Sequence, residues 1–225
     1  MHLSAGIAQA QSLIVGIPSA DITEKGHLVI AHESQGILAR DKGWNSFTFG
    51  TYGIGRHTEL AVSKYGLAHP ASGNLSLGAG FKTTIPIVQN EKLKEREFKV
   101  TFGSMIPFSF QGRGVGYWGY SHASIRLPGT RTRLTAGPGY GTKQIFGRTT
   151  WHAMVGVEQP LTRKFSLVAD WISGTHDLAA TIVATSWQVN RQFLLITGYK
   201  IPNNARSGKP ALILEFAIDL GKIRR

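Results

Sequence analysis

Residues 210–220 read P-A-L-I-L-E-F-A-I-D-L, and every even position after the proline is apolar: Leu212, Leu214, Phe216, Ile218 and Leu220. The odd positions mix Ala211, Ile213 and Ala217 with Glu215 and Asp219. A period of two sends alternate side chains to opposite faces of a strand, whereas a helix would spread the same five residues around its circumference. One face of this strand is therefore uniformly apolar and the other mixed. At about ten residues it has the length a tilted strand needs to cross a bilayer, against about five or six for an ordinary globular strand.

A strand of this kind cannot sit alone in lipid, where an open edge leaves a row of backbone groups unsatisfied. The rest of the chain supplies its partners. Strand patterns recur at 26–38, 44–55, 58–68, 74–85, 98–108, 115–127, 149–159, 165–171, 178–189 and 192–201, separated by Gly-, Pro- and Asn-bearing turns. Residues 131–141 form a weaker strand, because Pro138 removes a ladder donor. The expectation is an all-β chain of about twelve antiparallel strands, with ten as the lower alternative, closed into a single transmembrane barrel. No helix of any length and no second domain is expected. The barrel spans 26–220, preceded by a lead-in at 11–25 and followed by a basic tail at 221–225.

Composition narrows the setting. Charged residues make up 17% of the chain, below the roughly 25% of soluble domains. There are 25 Lys and Arg against 13 Asp and Glu, a formal net charge of +12, which suits a polyanionic partner such as lipopolysaccharide phosphate. The basic residues are scattered with no aromatic-interleaved stripe, so nucleic acid is not expected. Cysteine is absent, which excludes disulfides and thiolate metal sites. No run of 18 strongly apolar residues offers a membrane helix. Ala8-Gln9-Ala10 fits a small-x-small cleavage pattern, so residues 1–10 read as the remnant of a signal peptide.

Alternation alone does not separate a membrane barrel from a soluble one; the polar face does. It carries Asn74, Ser76, Gly78, Gly80, Thr101 and Gly103, small and uncharged side chains that suit a crowded interior. With both termini on the periplasmic side, the outward aromatics sort by height. Tyr140, Trp151, Trp171 and Tyr199 fall at the outer ends of their strands, and Phe98, Phe165 and Phe193 at the periplasmic ends. Two aromatic girdles result. The charged stretch 88–97 is the misfit, a long connector on the periplasmic side.

On these strands the chain resembles bacterial outer-membrane β-barrel proteins of the small porin-like class. The resemblance covers about residues 26–220. It implies export to the outer membrane of a Gram-negative bacterium, lipopolysaccharide and outer-membrane lipid as surroundings, and passage of small polar solutes as the activity. The last strand resembles the C-terminal signal read by the barrel-assembly machinery, although it ends on Leu220 with Gly-Lys-Ile-Arg-Arg following.

Motifs for other chemistry are weak. Gly137-Pro-Gly-Tyr-Gly-Thr-Lys143 lacks the phosphate-loop spacing and its helix, and no cofactor is implied. The eight histidines show no ligand spacing, so no metal is expected. His152, Ser166 and Asp170 fall on adjacent inward strands, yet a lipid hydrolase would need its nucleophile at the lipid face; a hydrogen-bonded interior is the better account. The informative set is inward and charged: Lys82, Lys99, His122, Arg126, His152, Glu158, Asp170, Lys200, Glu215 and Asp219. Such residues either line a narrow aqueous path or pair across the lumen and plug it. The reading favours a porin-like passive channel for small polar or anionic solutes, with a plugged structural or adhesive barrel as the alternative and a barrel enzyme behind it. Arg40, Lys42, Lys143, Arg148, Arg206 and Lys209 are the expected outer-loop cations.

Overall fold

The computed structural model describes residues 13–37, 43–65, 77–89, 97–109, 114–147 and 149–223. Residues 1–10, expected as a signal-peptide remnant, and the side chains of Arg40, Lys42 and Arg148 lie outside them. The strands are β1 (His27–Ile37), β2 (Gly43–Gly53), β3 (Thr58–Tyr65), β4 (Leu77–Gln89), β5 (Glu97–Phe108) and β6 (Trp118–Arg126). They continue as β7 (Arg133–Gly141), β8 (Trp151–Pro160), β9 (Phe165–Ile172), β10 (Ala180–Gln188), β11 (Phe193–Pro202) and β12 (Ala211–Lys222). Each pairs antiparallel with its sequence neighbour, and β1 closes on β12 with Ile30 opposite Ile218 and Ile37 opposite Ala211. Closure satisfies every strand edge, which lipid requires.

The distribution of polarity is inverted relative to a water-soluble protein. On β12, Leu212, Leu214, Phe216 and Leu220 are exposed while Glu215 and Asp219 are buried. The same holds around the barrel: Trp151, Val62, Phe81, Val155 and Val183 face out, and Glu59, Lys82, Arg133 and Asp170 face in. A continuous apolar outer surface of this extent is stable only against a nonpolar solvent. Aromatic side chains stand near both ends of this surface. Tyr140 and Trp151 pair across β7 and β8 with ring centroids 4.9 Å apart, and at the other margin Phe165 stacks on Trp187 at 5.5 Å. The connectors 142–150, 173–179 and 203–210 gather at the end opposite the termini, and the shorter 54–57, 161–164 and 189–192 at the same end as the termini. That asymmetry is the one outer-membrane barrels use, with short turns on the periplasmic side.

Two expectations are corrected. The charged stretch 88–97 is strand at both ends: β4 passes Pro86 by a register shift between Pro86 and Val88 and runs to Gln89, while β5 begins at Glu97. A bulge absorbs the missing proline donor, and the connector shortens to 90–96 at the end of the barrel where β1 begins. The chain also contains helix, one turn (α1, Lys143–Phe146) and a 3-10 turn (Ala205–Ser207) at the outer end. The turn α1 drives Phe146 inward until it is 1% exposed, against Trp118, His152 and His176.

Candidate functional site in the barrel lumen

The lumen is occupied by the chain's own N-terminal segment. Lys25 bridges Gly53 at the terminal end of the barrel, and the Gly26 amide donates to the Gly53 carbonyl at 2.7 Å. From there residues 13–25 lie inside the barrel and fold back on themselves at 14–17. In that turn the Ile14 amide donates to the Ile17 carbonyl at 2.8 Å and Leu13 bridges Pro18. Ile14, Val15 and Ile17 are each 1% exposed or less and join a core with Val29, Met154, Val168, Ile172, Ile182 and Ile196. Small inward residues make room. A Cβ at Gly156 would lie 2.6 Å from Ile14 Cδ1 and 2.9 Å from Ile17 Cδ1, and one at Gly53 would collide with the carbonyl oxygens of Thr23 and Glu24.

Polar anchors complete the seat. Asp170 Oδ2 accepts from the amides of Val15 at 2.9 Å, Gly16 at 2.6 Å and Ile17 at 3.3 Å. Successive amides turned toward one point form a concavity that suits a negative charge. The Thr23 amide donates to Glu59 Oε2 at 2.7 Å, and the Thr23 and Thr51 hydroxyls meet at 2.6 Å. Asp21 receives Arg133 Nη1 at 2.5 Å and lies 3.5 Å from Lys99 Nζ.

Asp21 belongs to a network that covers the other half of the wall. Lys82 pairs with Glu59 at 3.2 Å, Lys99 with Glu97, Arg126 with Glu97 at 3.1 Å, and Arg133 with Glu158 at 3.2 Å. Both signs therefore neutralise one another locally, as charges removed from water must. The lumen is thus two-sided: apolar around the turn at 14–17, ionic along β3 to β8. At mid-height its side chains are buried, with Thr101 0%, Lys82 2% and Arg133 4% exposed. Residues 13–25 occupy the lumen along which the narrow path is expected.

The remaining members of the inward set sit as follows. His152 Nε2 accepts from the Trp118 indole at 3.1 Å. His122 is buried beside Tyr120. Lys200 Nζ donates to the Asp177 carbonyl at 3.0 Å, and Asp219 lies 3.0 Å from His27 Nδ1. Glu215 is buried directly opposite Glu33 across the β1–β12 seam. His152, Ser166 and Asp170 form no constellation, because Ser166 pairs with Pro160 at the terminal end while His152 lies near the outer end of β8, and Asp170 is engaged by the segment. No group of three His, Asp or Glu able to hold a metal occurs among the described residues.

Sequence reasoning missed Asp21, Glu59, Glu97 and Arg133. Glu59 and Arg133 share the inward parity of their strands, so alternation alone could have found them. Asp21 had no such signal, since nothing in an aperiodic lead-in says that it enters the lumen. The usable hint was the short apolar run Leu13-Ile14-Val15-Gly16-Ile17-Pro18 before the first strand, beside a barrel with glycines at inward positions.

No protein-family model matches the sequence, and no curated protein matches it. Among solved structures, the KdgM porin superposes with a TM-score of 0.58 at 9% identity, over 87% of this chain and 99% of its own. The KdgM porin in complex with disordered oligogalacturonate superposes with a TM-score of 0.56 at 8% identity, over 87% and 99%. The chain has the fold of a small outer-membrane porin. That fold and the apolar belt support an outer-membrane location.

Proposed function

We propose that this barrel is a porin-like passive channel for small polar or anionic solutes, closed at rest by residues 13–25. The observation that carries the reading is the ionic wall on β3 to β8. Burying four cations and their acids is costly compared with an apolar filling of the same volume, and a barrel needing only stability gains nothing from it. A path that must conduct water and polar solutes once the segment moves does require such a wall. The joint at Gly26, with φ +84°, supports a movable segment, because the left-handed region lets the chain reverse sharply without a side-chain penalty. The similarity to KdgM, solved as a porin with a sugar acid polymer, supports the same class of activity. Lipopolysaccharide, drawn by the +12 charge, and the barrel-assembly machinery, reading β12, complete the proposed partners, with export through the signal stretch at 1–10.

A second reading, a permanently plugged structural barrel, is favoured by the burial of Ile14, Val15 and Ile17. Planar-bilayer recording separates the two. The gated channel gives discrete steps from the intact protein, and Gly156→Leu, which crowds Ile14 and Ile17, raises the fraction of time open. Silence from both correctly inserted proteins supports the permanent plug.

A further inference from the structure

The outer mouth holds a cavity of about 570 Å³ walled by Lys143, Ile145, Thr175, His176, Asp177 and Arg206, where the connectors 142–150, 173–179 and 203–210 converge. That volume is in the range of sites that take small-molecule ligands. Lys143 and Arg206 make no ion pair with any acid among the described residues. This contrasts with the lumen below, where every cation named above except Lys200 has a carboxylate partner. His176 is the second, independent sign. It is 6% exposed and packs edge-on against Phe146 at 4.7 Å, and its ring nitrogens make no well-aligned hydrogen bond, the Ser173 backbone being a poorly aligned partner. A buried imidazole with its donor poorly met is costly unless something takes it up. Thr175 and Gln144 add neutral hydrogen-bonding groups.

Two unpaired cations and a poorly satisfied buried imidazole around one concavity ask for a ligand with concentrated negative charge and several acceptor oxygens. We propose that this cavity binds small oxyanions, phosphate esters above all, and captures them at the mouth of the channel. The assignment rests on the channel reading for its purpose but not for its test. Arg206 supplies the fork that matches two phosphate oxygens, and Lys143 adds a point charge to the lining. Asp177 is the one acid in the wall; its backbone carbonyl accepts from Lys200 at 3.0 Å, so that cation lies beside it.

The test is calorimetry on the intact protein in nonionic detergent, with glucose 6-phosphate, inorganic phosphate and glucose as probes and lipopolysaccharide as the lipid-borne source of the same chemistry. Glucose 6-phosphate is expected to bind, inorganic phosphate to bind more weakly, and glucose not at all. Arg206→Gln and Lys143→Gln should each weaken glucose 6-phosphate about three- to tenfold, as for one charge contact at a partly exposed site, and the pair together more. Both side chains are exposed, on single helical turns of the outer connectors, so folding is retained; an unchanged melting temperature confirms it. Equal binding of glucose, or affinity unmoved in both variants, overturns the proposal. So does saturation by lipopolysaccharide with no binding of either free phosphate, which makes the cavity a lipid contact. Binding with a silent bilayer would sink the channel and leave this site standing; conduction without binding would sink only this site.

Discussion

Replacing Asp170 with Asn should loosen the N-terminal segment without disturbing the barrel. The carboxylate receives three backbone amides at 2.6 to 3.3 Å on a single oxygen. Hydrogen bonds to a charged acceptor contribute about 1.5–3 kcal/mol each in mutational series. Three donors sharing one oxygen are counted here as roughly two such bonds. Asn keeps an acceptor oxygen but loses the charge, and it relieves the desolvation of a buried carboxylate. The net weakening of docking is then about 2–3 kcal/mol, a factor of roughly 30–140 at 1.4 kcal/mol per decade. Two assays read it. Open probability in planar bilayers should rise by that factor until it saturates, and hydrogen exchange at the amides of Val15, Gly16 and Ile17 should speed up by the same factor while mid-strand amides stay protected. Faster exchange with unchanged conductance would show that the segment moves without gating. No change in either would refute the reasoning about the latch.

Other perturbations report on the remaining parts of the account. Val183→Arg on the outward face of β10 should cost about 2–4 kcal/mol of folding into lipid vesicles if the position is near the bilayer midplane, and a cost below 1 kcal/mol would count against the membrane facing. Gly53→Ala should push the Thr23 and Glu24 backbone off its seat, seen as proteolytic access to residues 13–25 in an otherwise intact barrel. Arg133→Gln leaves Asp21 and Glu158 facing each other without their shared cation and should cost about 3–5 kcal/mol, the usual penalty for breaking a buried pair; urea unfolding in detergent measures it. Burial holds the His176 imidazole, on the outer connector, below its ordinary range. Its neutral form is therefore favoured by folding, so its contribution to stability is complete above about pH 6.5 and falls as the pH drops below that. Between pH 7 and 5 the melting temperature should fall less in His176→Phe than in the parent chain.

The wall of the barrel was legible in the sequence because its rule is local. Parity alone sets whether Leu214 or Glu215 meets lipid, and closure converts that parity into inside and outside all round the barrel. Charged residues near strand ends were harder to place. Glu97 reads as part of a solvated connector, yet it is the first residue of β5 and pairs with Lys99, Arg126 and Arg133; charge density marks solvent in a loop and pairing in a lumen, and sequence does not distinguish them. The seat of residues 13–25 was not legible, because it depends on contacts between Ile14 and Gly156 or Val15 and Asp170, separated by most of the chain and created only once the barrel closes. The outer cavity was hidden for the same reason: its cations lie on different connectors, and Lys143 stands on a helical turn that no period announced.

The most direct test of the account locks the segment in place. The chain has no cysteine, so Ile14→Cys with Gly156→Cys introduces a single disulfide between side chains that meet in the lumen, where a Cβ on Gly156 falls 2.6 Å from Ile14 Cδ1. Single-channel recording is made on the inserted protein before and after reductant. The account predicts silence when oxidised and discrete current steps once the bond is reduced, reversing on reoxidation. Identical currents in both states would contradict gating by residues 13–25, and silence in both would mean the barrel is permanently plugged.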